Sequence, residues 1–367
     1  MRFLISGYYG FGNLGDEALL KVIVSQLRTR RPYDQIDVLS ANAPATAHEL
    51  SVDATPRWDA KAVRAAIARA DVLVSGGGGL LQDATSLRSL VYYAGIIRAA
   101  ANAGKKTMIF AQSIGPLDFW GKRVVKECCK NVTAATVRDS RSAALLRSIV
   151  SGLRVEQAAD PVFLYDAAEQ DVDLAAEGLG PQSDPLVIVS VRKAAGLKDR
   201  VDVIARAVDR LAAEHGARVA FLPLGGAADA EVSALVIRKC KSAPVLLPEC
   251  SLARAANVIR TAKAVVGMRL HALILAARYG VPFVAIPYDP KVTALCDDLA
   301  YPLEPLFVLN PSSIKPTPQE TDALIDRFWS QREALSAHLL GAGERLRALA
   351  LRNFEVLDEV AEGKGAP

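Results

Sequence analysis

The sequence predicts an α/β protein of two doubly wound domains that face a central cleft. Three observations carry this expectation. Apolar runs of strand length alternate with segments of helical period along the chain, apolarity within those runs is continuous, and the pattern fades once before it restarts. Continuous apolarity marks strands covered on both faces, as in a parallel sheet packed between helices. At 367 residues the chain also exceeds what one hydrophobic core supports, so two domains are expected.

Strands are expected at residues 3–6, 36–39, 72–75, 107–112 and 134–137, each followed by a turn signal and a helix-like segment. Periodicity fades where Asp, Glu, Gly and Pro gather, giving a first domain over 1–165 and a linker over 166–185. Runs at 186–191, 217–224, 245–247, 264–266 and 283–286 define a second domain over 186–315. Beyond Pro316, residues Leu324, Phe328, Leu335, Leu339, Leu346 and Leu349 recur at helical spacing. We expect one or two helices over 316–367, interrupted near Gly341 and Gly343, to pack across the domains.

Composition removes several function classes. A net charge of +4, without clustered Lys and Arg among aromatics, does not suit a nucleic-acid binder. Cys128, Cys129, Cys240, Cys250 and Cys296 show no C-x-x-C spacing, so reduced thiols in the cytoplasm are expected and no metal site. No apolar run reaches the roughly 18 residues of a membrane span, and the opening apolar run is short for a signal peptide. A soluble, cytoplasmic protein is expected.

Ligands of open α/β sheets bind beyond the carboxyl ends of the strands, so the residues there carry the functional reading. The first strand leads into Gly7-Tyr8-Tyr9-Gly10-Phe11-Gly12-Asn13-Leu14-Gly15-Asp16-Glu17. Its G-x-G-x-x-G spacing is followed directly by two acids, which would repel a pyrophosphate and so exclude a dinucleotide fingerprint. Asp16 is expected either to cap the following helix or to face a ligand. Gly76-Gly77-Gly78-Gly79 ends the third strand ahead of Asp83, and so glycine-rich a run implies close approach to the backbone. Gln112-Ser113-Ile114-Gly115-Pro116 closes the next strand in the same way.

Cations gather at other strand ends. Arg138 follows the run at 134–137, with Asp139 as the expected cap of the next helix; an anionic ligand or a neighbouring acid would explain this arginine. Arg269 and His271 follow the run at 264–266, and Lys291 follows the next one. Parallel pairing would bring these three to one rim. With Arg138 they would form a pocket for a small polyanion. His48, His215 and His338 lack such surroundings.

At these residues the chain resembles the polysaccharide pyruvyl transferase family, most closely its CsaB branch, which modifies the cell-wall polymer that anchors S-layer proteins. The resemblance rests on residues 6–18, the turn at 76–83 with Thr85-Ser86, residues 112–116, Val137-Arg138-Asp139, Ala159-Asp160-Pro161, Gly267-Met268-Arg269-Leu270-His271 and Tyr288-Asp289-Pro290-Lys291-Val292. It implies a glycosyltransferase-B-like fold of two Rossmann-type domains, phosphoenolpyruvate as a co-substrate, and neither metal nor cofactor. Arg138, Arg269, Leu270, His271 and Lys291 are then the donor-binding residues. The implied acceptor is a lipid diphosphate-linked disaccharide ending in N-acetylmannosamine, pyruvylated across its 4- and 6-hydroxyls.

Within that reading His271 is the expected general acid, and Asp16, with Asp83 second, the expected general base. Tyr9, Gly10, Asn13, Asp16, Gly77, Gly78 and Asp83 are expected on the acceptor side. Peripheral membrane contact at the inner face would follow from a lipid-linked acceptor, with the stripe at 321–360 and Arg332, Arg345, Arg347 and Arg352 as its carrier. The competing expectation is a nucleotide-sugar glycosyltransferase, with residues 225–229 placing Asp229 on the ribose. The oligomeric state is left open.

Overall fold

A computed structural model of the chain describes residues 1–84, 86–179, 184–194, 196–308 and 315–364. Thr85 of the glycine-turn motif, residues 180–183 of the expected linker and residues 309–314 at the expected domain boundary lie outside the described residues. Two compact units result, Met1–Tyr165 with Leu346–Pro367, and Asp166–Arg345.

The first unit holds seven parallel strands: β1 (Arg2–Ser6), β2 (Gln35–Ser40), β3 (Asp53–Pro56), β4 (Val72–Gly78), β5 (Lys106–Gln112), β6 (Ala134–Val137) and β7 (Val155–Gln157). Their order is β3-β2-β1-β4-β5-β6-β7. The helices that follow are α1 (Leu14–Arg30), α2 (Ala43–Leu50), α3 (Ala60–Arg69), α4 (Leu87–Asn102), α5 (Phe119–Cys129) and α6 (Ser140–Ile149). Chain direction across the sheet reverses between β1 and β4, where Ser6 pairs with Ser75. Loops leaving those two strands therefore open a crevice beyond their carboxyl ends. The edge strands β3 and β7 were not expected from the sequence. Both are short and partly exposed, so they lack the apolar run that marks a central strand.

The second unit repeats the plan with β8 (Leu186–Ser190), β9 (Arg218–Phe221), β10 (Val245–Leu246), β11 (Ala264–Gly267) and β12 (Phe283–Ala285), in the order β10-β9-β8-β11-β12. Its helices are α7 (Leu197–His215), α8 (Ala227–Ile237), α9 (Leu252–Thr261), α10 (Leu270–Arg278) and α11 (Pro290–Asp298). Here the reversal lies between β8 and β11.

One helix, α12 (Pro318–Glu362), replaces the one or two interrupted helices expected. Gly343 does not break it. A Cβ there would stand 3.0 Å from the carbonyl oxygen of Ala277, so the missing side chain lets α12 lie against the backbone of α10. Leu324, Ile325, Phe328 and Leu335 enter the core of the second unit, and Phe354, Leu357 and Val360 that of the first. The stripe offered as a membrane carrier is thus largely core, and Arg352 is paired with Glu156, Glu355 and Glu359. Among the described residues no helix is long and apolar enough to cross a membrane.

The segment expected as a linker belongs to the second unit. Asn257 and Arg260 of α9 donate to the carbonyls of Ala168 and Ala167, and Arg254 pairs with Glu177. Side chains of α9 thus satisfy backbone carbonyls at Ala167 and Ala168.

Candidate functional site

In the first unit the β1–α1 loop is organised by its own residues. Asn13 caps α1, its side chain accepting from the N–H of Gly15 at 3.1 Å, so Asp16 is not the cap and lies with Glu17 in the first turn. Glu17 reaches back to accept from the N–H of Gly10 at 2.9 Å. Burial raises the Glu17 pKa above its ordinary value, and the backbone N–H groups of Gly10, Gly12 and Phe11 only partly offset this. A carboxyl whose folded pKa is raised favours the fold while protonated, and that contribution is lost as pH rises through the folded value. Glu17→Gln keeps an acceptor without the charge. Thermal melts at about pH 4 and about pH 7 should therefore show the variant gaining on the wild type at the higher pH.

The glycine run of β4 is filled from α1. Gly77 (φ +62°) and Gly78 (φ +83°) adopt backbone that other residues rarely reach. A Cβ on Gly77 would meet Leu19 Cδ1 at 2.9 Å, and one on Gly78 would meet Asp16 Oδ1 at 3.0 Å. Close approach was expected, and α1 supplies it. The same packing sets the Asp16 carboxylate over the end of β4. Tyr9 is 1% exposed and donates its hydroxyl to the carbonyl of Gly76 at 2.8 Å, so it belongs to the floor beneath the loop rather than to its surface. Burial, followed by the charges of Asp16 and Glu17, raises its pKa well above the ordinary value, keeping it a proton donor. Asp83 accepts from the N–H of Asp118 at 2.7 Å and braces the chain entering α5.

Arg138 lies at the tip of β6 and is buried. Its Nε donates to Ser113 Oγ at 2.7 Å and its Nη1 to Asp160 at 2.5 Å. Asp139 caps α6 as expected, accepting from Ser142 N at 2.7 Å. Motif residues from β5, β6 and the turn after β7 are thereby tied into one cluster, with Nη2 outside these two bonds.

In the second unit Arg269 forms a two-pronged pair with Asp229, Nε to Oδ2 at 2.6 Å and Nη2 to Oδ1 at 2.5 Å. Gly225 makes this possible, because a Cβ there would collide with the guanidinium. Leu270 is buried, so only its backbone can face a ligand. His271 is half-buried in the first turn of α10. Ser251 and Asp289 cap α9 and α11, whereas no side chain caps α10. Lys291 opens α11, with its ammonium 3.6 Å from Asp289 and 5.4 Å from the Tyr288 ring centroid.

Arg192 was not among the residues expected from the sequence. It follows β8, donates to the Tyr288 hydroxyl at 2.8 Å, and lies 4.6 Å from the same ring centroid as Lys291. Among the described residues no carboxylate pairs with it. Two cations over one ring, with Asp289 as the nearby acid, hold a positive charge at the β8/β11 reversal that an anion would neutralise.

The family model for polysaccharide pyruvyl transferases matches residues 13–290. The chain belongs to the polysaccharide pyruvyl transferase family. Membership makes it a transferase of pyruvyl groups to polysaccharide. No curated protein sequence matches the chain. In fold it is similar to S. aureus MnaA in a UDP co-structure, with TM-score 0.68 and 8% identity over 98% of this chain and 96% of that one. It is also similar to UDP-GlcNAc 2-epimerase from Neisseria meningitidis bound to UDP-GlcNAc, with TM-score 0.61 and 10% identity over 99% and 100%. A glycosyltransferase from Rickettsia africae gives TM-score 0.61 and 8% identity over 98% of each chain. At these identities the likeness is one of fold, the two-domain α/β architecture of glycosyltransferases and epimerases.

For this pyruvyl transferase the structure divides the expected residues into groups. Asp16 and Gly78 meet, and Asn13 and Gly10 form the loop before them. Arg269, Leu270, His271 and Lys291 follow the paired strands β11 and β12. Arg138 belongs to a cluster with Ser113 and Asp160 within the first unit. Among the described residues no group of His, Cys, Asp and Glu could hold a metal ion. Burial pushes the Cys129, Cys240 and Cys296 thiols up to about 12, so they remain protonated at neutral pH.

Proposed function

We propose that this chain transfers the pyruvyl group of phosphoenolpyruvate to a lipid diphosphate-linked disaccharide, closing a ketal across the 4- and 6-hydroxyls of N-acetylmannosamine and releasing phosphate. The polymer is then a secondary cell-wall polymer of the kind that anchors S-layer proteins, and the enzyme works in the cytoplasm at the membrane face where such precursors sit. The observation that carries the donor assignment is the convergence of Arg192 and Lys291 on Tyr288 beside the switch point of the second sheet.

Ketal formation proceeds in two steps. A proton adds to C3 of the enol as one sugar hydroxyl attacks C2; the second hydroxyl then displaces phosphate from C2. Arg192 and Lys291 hold the donor's carboxylate and phosphate, and Arg138, whose Nη2 lies outside its two bonds, is the first unit's candidate for binding an anion. His271 supplies the proton to C3 or to the departing phosphate, and Asp16 accepts the hydroxyl proton. Neither metal nor cofactor is needed in this scheme.

The nucleotide-sugar alternative asks for an exposed second-domain acid to hold the ribose. Asp229 is the acid the sequence offers, and it is 1% exposed beneath Arg269. The nucleotides named with the similar folds thus lack this contact here. The test is incubation with phosphoenolpyruvate and an N-acetylmannosamine-containing disaccharide, read by mass spectrometry. A product heavier by a pyruvate ketal is expected, with phosphate released in equal amount. Transfer from a UDP-sugar in its place would overturn the proposal.

A further inference from the structure

The first unit carries a contiguous row of aromatic rings that the mechanism does not use. Tyr8 and Phe11 stack at 4.2 Å with 12° between their planes. Phe11 meets Trp58 edge-on at 6.5 Å, Trp58 meets Tyr92 at 5.5 Å, and Tyr92 meets Tyr93 at 5.2 Å. Tyr8 is 40% exposed, Phe11 39% and Trp58 68%. The rings come from the β1–α1 loop, the β3–α3 loop and α4, and the two loops leave the sheet at its carboxyl edge.

Arg57 organises the row from inside. It is 3% exposed, and its guanidinium carbon lies 5.0 Å from the Phe11 ring centroid, 4.9 Å from Trp58, 4.7 Å from Tyr92 and 5.2 Å from Tyr93. Its Nη1 donates to the carbonyl of Gly7 at 2.8 Å and its Nη2 to the Tyr93 hydroxyl at 3.0 Å. Its buried Nε has no hydrogen-bond partner, and among the described residues no carboxylate pairs with it. A buried guanidinium without a counter-charge is costly, and ring faces are what compensate it here. Arg57 thereby holds the rings together and, through Gly7, ties them to the glycine loop that leads into α1.

We propose that Tyr8, Phe11, Trp58 and Tyr92, clamped by Arg57, form a stacking platform for pyranose rings of the polysaccharide acceptor. The proposal rests on the pyruvyl-transfer reading for the identity of the ligand. A pyranose offers a flat face of polarised C–H groups that suits an exposed ring face, and the indole N–H of Trp58 can donate to hydroxyls at its edge. Rings already held in place lose little freedom on binding, so weak contacts suffice. Phosphodiester or anionic-lipid ligands fit less well, because the cation of this cluster is inside it. A row of several rings further suits successive sugars of a chain better than a single one.

The test uses the full chain and the N-acetylmannosamine-containing disaccharide as probe. Titration should quench tryptophan fluorescence saturably in the wild type and in Trp120→Phe, but not in Trp58→Leu. In the transfer assay Trp58→Leu and Phe11→Leu should raise the KM for the disaccharide about tenfold, with kcat and the KM for phosphoenolpyruvate unchanged. Thermal melts check that both variants remain folded. Absence of quenching in the wild type, quenching that survives in Trp58→Leu, or an unaltered acceptor KM would overturn the platform. So would loss of binding to anionic phospholipid vesicles in Trp58→Leu with the saccharide response intact, which would assign the row to a membrane. Binding through Trp58 without any pyruvyl transfer would leave the platform standing and remove the proposed reaction.

Discussion

Replacing His271 by alanine is expected to lower pyruvyl transfer by about two to four orders of magnitude while leaving the fold intact. His271 sits half-buried in the first turn of α10, beyond β11, where the second sheet reverses its order. Its surroundings include the Arg269–Asp229 pair, which fixes the entry to the helix without using the imidazole. Loss of the ring therefore removes chemistry more than packing. Glutamine at the same position separates two roles. It retains hydrogen bonding but cannot deliver a proton at neutral pH, so an acid role predicts that His271→Gln is as inactive as His271→Ala. Recovery of most activity in His271→Gln would make the residue a hydrogen-bond donor to the donor's phosphate. Phosphate release measured beside thermal midpoints decides it. A melting temperature that falls with the activity would mark the histidine as structural.

Most of the scaffold was legible because central parallel strands must be apolar on both faces, a pattern that needs no partner to recognise. The strands β1, β2, β4, β5, β6, β8, β9 and β11 announce themselves in this way, and the edge strands β10 and β12 are legible because their residues are apolar as well. The edge strands Asp53–Pro56 and Val155–Gln157 do not, since they are short, partly exposed and carry polar or charged residues. The glycine run at 76–79 was legible as a close approach but not as to what approaches, whereas Gly343 reads as a helix break and Gly225 as part of a nucleotide-binding turn. Gly77 accommodates Leu19, Gly225 accommodates Arg269 and Gly343 accommodates the backbone at Ala277, contacts that depend on how helices cross.

Site residues divided along the same line. Each cation at a strand end was visible singly, and the reasoning applied to Arg138 would also have found Arg192 after β8. What the sequence concealed was pairing at long separation. Asp229 reads as an available acid until it is seen beneath Arg269. The ring row was hidden for the same reason, since Phe11, Trp58 and Tyr92 belong to separate elements and share no spacing.

The buried pair supplies the other large effect. Asp229→Ala is expected to destabilise the second unit by about 3–5 kcal/mol, because it leaves the Arg269 guanidinium largely buried without its partner; Arg269→Ala should do the same through Asp229. The double variant Asp229→Ala/Arg269→Met removes both charges and fills part of the space, so much of the stability should return. Its activity then distinguishes two roles that the single variants confound. If Arg269 only fixes α8 against the start of α10, the double variant recovers transfer along with stability. If Arg269 also meets the donor, stability returns and the KM for phosphoenolpyruvate stays high. The geometry favours the first outcome. Both Nε and Nη2 are engaged by one carboxylate, which neutralises the charge that an anionic donor would seek, whereas among the described residues Arg192 pairs with no carboxylate and Lys291 meets Asp289 only through a single 3.6 Å contact. Denaturant melts and donor kinetics on the three variants settle the assignment, and a double variant as unstable as either single one would mean that the pair does not act through its charges.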